Sequence, residues 1–323
     1  MELGPSVPPD GGDTATARTP AVVVLAGGTG GAKLARGMLD VVGAGRVAVV
    51  ANTGDDLEMY GAHVSPDPDL VAFWLADRID ERGWGLQGDT FAVMAGLREI
   101  GVDVWFNLGD RDLAWCIERR RMLGEGMTLT AATQKLTAAL HAEVMVLPMC
   151  DEPVRTWVDT DAGWTSFQEF MVRQRGAGPV RGLEFRGAER ARVTPQVAAA
   201  LAQARVVIIG PSNPLVSIDP ILAVPGMADA LSATGAPVVA VSPIVEGKVL
   251  KGPTAAFMAW AGHPLSAEGV AEHYGALIDG MVADEPVSSL PALALDTRMD
   301  SVAGRRRVAE RTLRFALDLA GSG

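Results

Sequence analysis

Cysteine is almost absent from this chain. Only Cys116 and Cys150 occur in 323 residues, and neither belongs to a Cys-x-x-Cys pair. That argues against a disulfide framework or a cysteine zinc site, and it fits a reducing cytoplasm. The four histidines, His63, His141, His263 and His273, are scattered without metal-ligand spacing. Positive charge is in deficit: 28 Lys and Arg stand against 39 Asp and Glu, a net charge of -11. A nucleic-acid backbone is therefore a poor partner. An acidic protein that binds phosphates must do so locally, through backbone amides, a few cations or a metal. No apolar run approaches the roughly 18 residues that cross a bilayer, so no membrane association is expected. The opening MELGPSVPPDGGDTATARTP has neither a basic n-region nor an apolar h-region and does not read as a secretory signal. Residues 1–19 read as a disordered tail. There is no Gly-x-Ser-x-Gly elbow, and the two tyrosines, Tyr60 and Tyr274, form no Tyr-x-x-x-Lys pair.

What is present is a large apolar fraction, 48%, cut into short runs. Strands are expected at 21–27, 46–53, 102–109, 142–149, 204–211 and 236–243. Continuous Val/Ile runs suit strands buried on both faces, hence a parallel sheet. Helical periodicity fills the gaps, in DLVAFWLADRID, DTFAVMAGLREIG and DPILAVPGMADALSATG, where Asp219 is a candidate N-cap. The last amphipathic stretch, DSVAGRRRVAERTLRFALDLAG, can pack on the sheet or serve an interface. The expected fold is α/β, a doubly wound Rossmann-like, mostly parallel sheet, forming one domain over 20–323. Alternating segments and turn residues at about 151–192 suggest antiparallel hairpins in an α+β insertion.

The first expected strand runs into Gly27-Gly28-Thr29-Gly30-Gly31 and then a helix. That is the setting in which backbone N–H groups and a helix N-terminus bind phosphate. The turn matches neither glycine pattern: Lys33 stands where the dinucleotide fingerprint wants glycine, and Ala32 follows Gly31 where a P-loop wants Lys. A tight turn with glycines for packing is the alternative. Lys33 suits either a phosphate contact or a solvated helix face. The second strand ends in ANTGDD, placing Asn52, Thr53, Asp55 and Asp56 at the carboxyl edge of the sheet. Asp55 and Asp69, the latter from SPDPDLV, can share a hard cation such as Mg²⁺; helix capping competes for Asp69. Arg111 in NLGDRDLAW reads as a phosphate or carboxylate clamp, or as a loop brace. Ser212 and Asn213 sit between prolines at a strand end and suit ligand recognition or turn chemistry. Ser242, Lys248 and Lys251 are available after the sixth run. Trp84 and Trp105 suit core packing more than stacking on a flat ligand.

Taken in order, AGGTGGAKLARGM, ANTGDD, SPDPDLV, RGWGLQGDTF, LGDRDLA, LPMCDEPVRTWV, SFQEFMVRQRG, GPSNPLVSIDPILAVPGM and VVAVSPIVEGKVLKGP resemble the CofD/FbiA family of 2-phospho-L-lactate transferases of coenzyme F-420 biosynthesis. The resemblance runs from about residue 21 to about 281. It implies an Mg²⁺-dependent transfer of a phospho-acid (2-phospholactate, phosphoenolpyruvate or 3-phosphoglycerate) from a guanosine diphosphate ester to the ribityl 5′-hydroxyl of the deazaflavin Fo, with GMP leaving. A partner guanylyltransferase would make that donor. By the same resemblance Asp55 and Asp69 would hold Mg²⁺, with Asp69 alternatively orienting Fo or acting as base. Arg111 would bind Fo or the transferring phosphate. Gly27, Gly28, Thr29, Gly30, Gly31 and Lys33, with Asn52, Ser212 and Asn213, would receive the GDP portion. A homodimer is also implied.

The chain departs from the family pattern in two places. Ser65 precedes Pro66 where cysteine is usual, and Trp115-Cys116 replace Thr-His after GDRDLA, so donor choice is open. The competing reading is a non-catalytic regulator of the same superfamily that binds UDP-sugars.

Overall fold

Five of the Val/Ile runs lie side by side in one sheet. The structure, a computed structural model, describes residues 21–142, 144–249 and 252–321. The tail expected at 1–19 and Lys251 lie outside the described residues. Seven strands form the main sheet: β1 (Val22–Ala26), β2 (Val47–Ala51), β3 (Met145–Pro148), β4 (Val206–Ile209), β5 (Val238–Val241), β6 (Gly280–Ala283) and β7 (Ala292–Ala294). Their spatial order is β7-β6-β5-β4-β1-β2-β3, and every neighbouring pair is parallel. The doubly wound fold expected from the sequence is what forms.

Both faces of the sheet are covered, and the side chains divide by strand parity. Val23, Leu25, Val50, Leu147, Val207 and Ile209 belong to one core. Val22, Val24, Val49, Val146, Val206 and Ile208 belong to the other. A strand buried on both sides has no use for polar alternation, so its sequence reads as an unbroken apolar run. The helix α1 (Gly28–Val42) packs on the second core through Leu34, Ala35 and Met38. The C-terminal helix Val302–Ala320 adds Val308, Ala309 and Ala316 to the same core; its apolar face is used within the chain.

The run at 102–109 is not a strand. The place beside β2 belongs to β3, and residues 102–109 cross as an extended loop. Its aromatic and β-branched content fits a half-buried surface, which a cavity wall provides as well as a sheet does. Two strands, β6 and β7, lacked a sequence signal because they are short and rich in Gly and Ala. Residues 155–186 form a separate three-stranded antiparallel sheet, Gly163–Ser166 beside Arg155–Thr160 beside Gly182–Arg186. Among the described residues no helix is long and apolar enough to cross a membrane.

The chain leaves β1 toward β2 and β3, then returns to build β4 to β7 on the other side. The carboxyl ends of β1 and β4 therefore flank the topological switch point, where open α/β sheets bind ligands. The turn after β1 meets the turn after β4 at backbone distance. A Cβ on Gly30 would lie 2.1 Å from the Pro211 carbonyl oxygen, and one on Gly31 would lie 2.7 Å from the Ala26 Cβ. Gly28 is different: its φ of +67° is the reason for glycine, and nothing lies within 4 Å of its missing Cβ.

Gly30→Ala is expected to destabilise the fold by about 1–3 kcal/mol, because the opposing atom is backbone and cannot step aside. Gly96→Ala, in the open face of the helix α3 (Ala92–Glu99), should instead be neutral or stabilising by up to about 1 kcal/mol. Urea-unfolding midpoints check both; equal midpoints for the two variants would contradict the packing argument.

Candidate active site

The helix α2 (Pro66–Leu75) begins three residues before the periodicity that announced it. Pro66 occupies its first position, and Asp67 and Asp69 lie in its first turn, where the fixed φ of proline and the positive end of the helix dipole favour them. Asp69 is not its N-cap; the cap position is Ser65. Instead Asp69 reaches the helix α4 (Asp110–Gly124). Its Oδ2 accepts from Arg119 Nη1 at 3.0 Å, and its Oδ1 accepts from Arg119 Nη2 and from Trp115 Nε1, the latter at 2.8 Å. Arg119 is fully buried and also donates to the His63 carbonyl at 3.1 Å.

Arg119 and Asp67 were absent from the sequence-based site. The signal for Arg119 was present. On α4 the buried positions run Leu113, Cys116, Arg119, Met122, so a guanidinium occupies one place in an apolar stripe. Such a charge requires a buried partner.

Asn52 joins the acids to one another. Its Nδ2 donates to Asp67 Oδ2 at 2.9 Å and to Asp55 Oδ1 at 3.2 Å, while its Oδ1 accepts the Gly54 N–H at 2.7 Å. Asp67 Oδ1 accepts the Gly28 N–H at 2.7 Å, and the Ser212 hydroxyl accepts the Gly27 N–H at 3.1 Å. The glycine turn, ANTGDD, SPDPD and GPSNP are thus one hydrogen-bonded unit. Beside them Asp56 accepts from Ser65 Oγ at 2.8 Å and pairs with His63 Nε2 at 3.0 Å.

Four buried carboxylates, Asp55, Asp56, Asp67 and Asp69, share this space. Burial, with Asp67 nearby, pushes the Asp55 carboxyl well above the usual range. Burial raises Asp67 to about 6 against the hydrogen bonds of Asn52 and Gly28. Burial also raises Asp69, opposed by Arg119. The half-buried Asp112 reaches about 7, through desolvation and then the charges of Asp69 and Asp89. Excess desolvated negative charge is the electrostatic condition for a divalent cation.

Asp69, Asp112 and Cys116 offer ligand atoms within 4.8 Å of one another. That set does not suit Mg²⁺, which takes oxygen ligands. Burial and the neighbouring Asp69 hold the Cys116 thiol well above its ordinary range, hence protonated. Asp55 and Asp67 are the better fit: oxygen donors, buried, and lacking a cationic partner among the described residues.

The remaining expected residues take varied places. Lys33 pairs with Asp300 at 3.1 Å, at the start of the C-terminal helix. Asn213 uses its Oδ1 to accept from Leu215 and Val216 N–H and its Nδ2 to bond Thr254, so it serves the turn. Asp219 does not cap a helix but binds His273 Nε2 at 2.9 Å. Arg111 is exposed, with its guanidinium bonded to the Gln87 carbonyl at 3.2 Å. The acids around it exchange caps. Asp89 accepts the Arg111 and Asp112 N–H groups at the start of α4, while Asp110 accepts those of Ala92 and Val93 at the start of the helix Ala92–Glu99. Gly109 makes room for this, since a Cβ there would fall 2.1 Å from Asp89 Oδ2.

Two cavities open on the acids. The larger, about 380 Å³, is walled by Phe73, Trp84, Trp105 and Phe106, with Asp67, Asp69 and Asp112 also lining it. Trp84 is 43% exposed, so Trp84 and Trp105 line this cavity rather than fill the core. The smaller, about 180 Å³, lies between Gly54–Leu57 and the insertion.

The family described as "2-phospho-L-lactate transferase CofD" matches residues 22–309. A 2-phospho-L-lactate transferase of Methanosarcina mazei is 38% identical over 265 residues, covering 82% of this chain and 87% of its own. A phosphoenolpyruvate transferase of Streptomyces griseus is 42% identical over 270 residues, 81% of this chain and 85% of its own. A 2-phospho-L-lactate transferase of Haloarcula marismortui is 40% identical over 322 residues, 89% and 96% respectively. Among solved structures, a upf0052-family protein of Bacillus halodurans superposes with a TM-score of 0.60 at 14% identity, covering 91% of this chain and 99% of its own. That last likeness is one of fold.

Arg119→Leu leaves Asp69 buried without its counter-ion, and a loss of about 3–5 kcal/mol is expected. The Asp69 carboxyl should then hold its proton to higher pH in the folded state, so the loss should be larger at about pH 8 than at about pH 5. Unfolding midpoints at the two pH values check this; a loss independent of pH would contradict it.

Proposed function

The chain belongs to the CofD family, and from that premise we propose that it transfers a phospho-acid from a guanosine diphosphate ester to the ribityl 5′-hydroxyl of the deazaflavin Fo, in coenzyme F-420 biosynthesis. The names of its relatives supply the transferred groups, 2-phospho-L-lactate and phosphoenolpyruvate. The observation that carries the reading is the arrangement of the site: buried carboxylates at the switch point, with the aromatic cavity of about 380 Å³ opening on them. A flat tricyclic ring suits those aromatic walls, and Asp69 among the lining residues suits the hydroxyl that reacts.

In the proposed step the Fo hydroxyl oxygen bonds to the phosphorus distal to guanosine. The bond from that phosphorus to the bridging oxygen breaks, its electron pair leaves with GMP, and the hydroxyl proton passes to Asp69. Asp69 suits this role because burial raises its carboxyl while Arg119 and Trp115 fix its direction. Three hydrogen bonds leave it about one lone-pair site for the hydroxyl. Arg111, whose guanidinium has no carboxylate partner among the described residues, is free for the phosphate or Fo. The first turn of α1, with Ser212, would receive the guanylate. Asp55 and Asp67 would hold Mg²⁺, with Asp69 adjoining; the ion would neutralise diphosphate charge. Positioning and charge neutralisation are most of what phosphoryl-type transfer asks of a protein.

Purified protein supplied with Fo, Mg²⁺, GTP, a guanylyltransferase and each phospho-acid in turn should yield a Fo adduct by mass spectrometry. Asp69→Asn should reduce turnover at least about 10²-fold. If no adduct forms while the activated donors are demonstrably made, the transferase reading falls.

The metal has a separate test in stability. Asp67, raised to about 6, and Asp55, pushed well above the usual range by burial and the neighbouring Asp67, hold protons when folded that the unfolded chain gives up at about pH 4. The Asp67 contribution is therefore present below about pH 4 and lost as pH rises through about 6, and that of Asp55 is lost in the same direction. Mg²⁺ competes with those protons, so its increase in the melting temperature should be larger at about pH 8 than at about pH 5. Equal shifts at the two pH values would remove these residues as its ligands.

A further inference from the structure

We infer that the smaller cavity, beside Asp55, seats the carboxylate of the transferred acid, with Arg155 as its counter-ion and the Thr156 hydroxyl as a further donor. The inference rests on the transferase reading and adds the part of the site that reads the donor.

The cavity, about 180 Å³, is less than half the volume of the aromatic one, and the smaller space suits a three-carbon acid. Its walls are the turn after ANTG and the insertion strand Arg155–Thr160, closed by Phe167. Arg155 is the one cation among the lining residues. It donates from Nη1 to the Val154 carbonyl at 2.8 Å, and among the described residues no carboxylate pairs with it. Most of its fork of N–H donors is left for a ligand. A carboxylate is what phospholactate, phosphoenolpyruvate and phosphoglycerate have in common, and a guanidinium fork matches it.

The second observation is independent. The Thr156 hydroxyl is buried and has no hydrogen-bond partner. Such an orphan costs stability unless a ligand satisfies it. It is kept open by Gly54, where a Cβ would come to 2.5 Å from Thr156 Oγ1. Trp157 and Phe167 supply an apolar wall for the methyl or methylene of the acid. The acids in the same wall are otherwise engaged: both Asp56 oxygens are taken by Ser65 and His63, and Asp55 gives one to Asn52.

The test uses the full chain and three synthetic donors: guanosine diphosphate esters of lactate and of enolpyruvate, and an ethyl ester that lacks the carboxylate. Wild type should prefer a carboxylated donor. Arg155→Gln should lower kcat/KM for that donor by about tenfold to a hundredfold, chiefly through KM, as expected for a lost charged hydrogen bond. Turnover of the ethyl donor should not change, so the preference collapses. Arg155→Lys should keep part of it, and Thr156→Val should weaken it. Binding of Fo, read by its fluorescence, and of GMP should match wild type in all three variants, which also reports folding. The inference is overturned if Arg155→Gln retains the preference, loses all donors equally, or weakens GMP binding, the last of which would give the cavity to the nucleoside. Wild type that makes no adduct from any donor would instead remove the transferase reading beneath it.

Discussion

Negative charge held out of water at the end of β1 and β2 is the constraint on which the rest of this structure depends. Four carboxylates buried together would repel one another and lose hydration, a cost of several kcal/mol for each unpaired ion. Each must therefore be answered locally. Arg119 answers Asp69. His63 and Ser65 answer Asp56. Asn52 bridges Asp55 and Asp67, and the Gly28 amide completes Asp67. The answers come from four separate segments, so the fold cannot close unless all of them arrive. A site that assembles only when the chain is complete is also one whose geometry is fixed before substrate enters, as phosphoryl-type transfer requires.

The frame of this arrangement was legible because its physics is local. Val22–Ala26 and Val206–Ile209 are buried on both faces, and burial on both faces writes itself as continuous valine and isoleucine. The glycine turn was legible as a turn, but its reason is divided: Gly30 and Gly31 are there for packing and only Gly28 for its positive φ. What was not legible depends on contacts distant in sequence. Residues 102–109 have the composition of a strand, yet the ladder site beside β2 is filled by residues 145–148. No local pattern says which of two eligible runs will pair. Asp69 and Arg119 are fifty residues apart, so the charge in the apolar stripe of α4 showed that a partner existed without showing where.

Trp115 and Cys116 act together on one side of the site. Trp115 gives Asp69 an N–H donor and sets its ring edge-on to Phe73, 5.6 Å away. Phe73 and Asp69 both line the aromatic cavity. One residue thus braces an acid and an aromatic wall of the same cavity. Cys116, packed under Asp69 and fully buried, adds volume without charge. Both residues lie on the side of the aromatic cavity proposed for Fo.

The insertion has a comparable logic. The Thr156 N–H donates to the Gly54 carbonyl at 2.7 Å, fixing the antiparallel sheet to the turn that carries Asp55. The same turn thereby borders both the parallel sheet and the insertion. A doubly wound sheet by itself supplies only the switch-point crevice, suited to a nucleotide. The aromatic cavity comes from the segments at 64–73, 84–85 and 105–112 with Val172 from the insertion, and the small one from 155–168 against the turn 54–57. Each added segment is tied back to the central acids, by Arg119 on one side and by Thr156 on the other. In the proposed reaction, substrate choice would change by altering either addition, while the buried charge stays where the parallel strands put it.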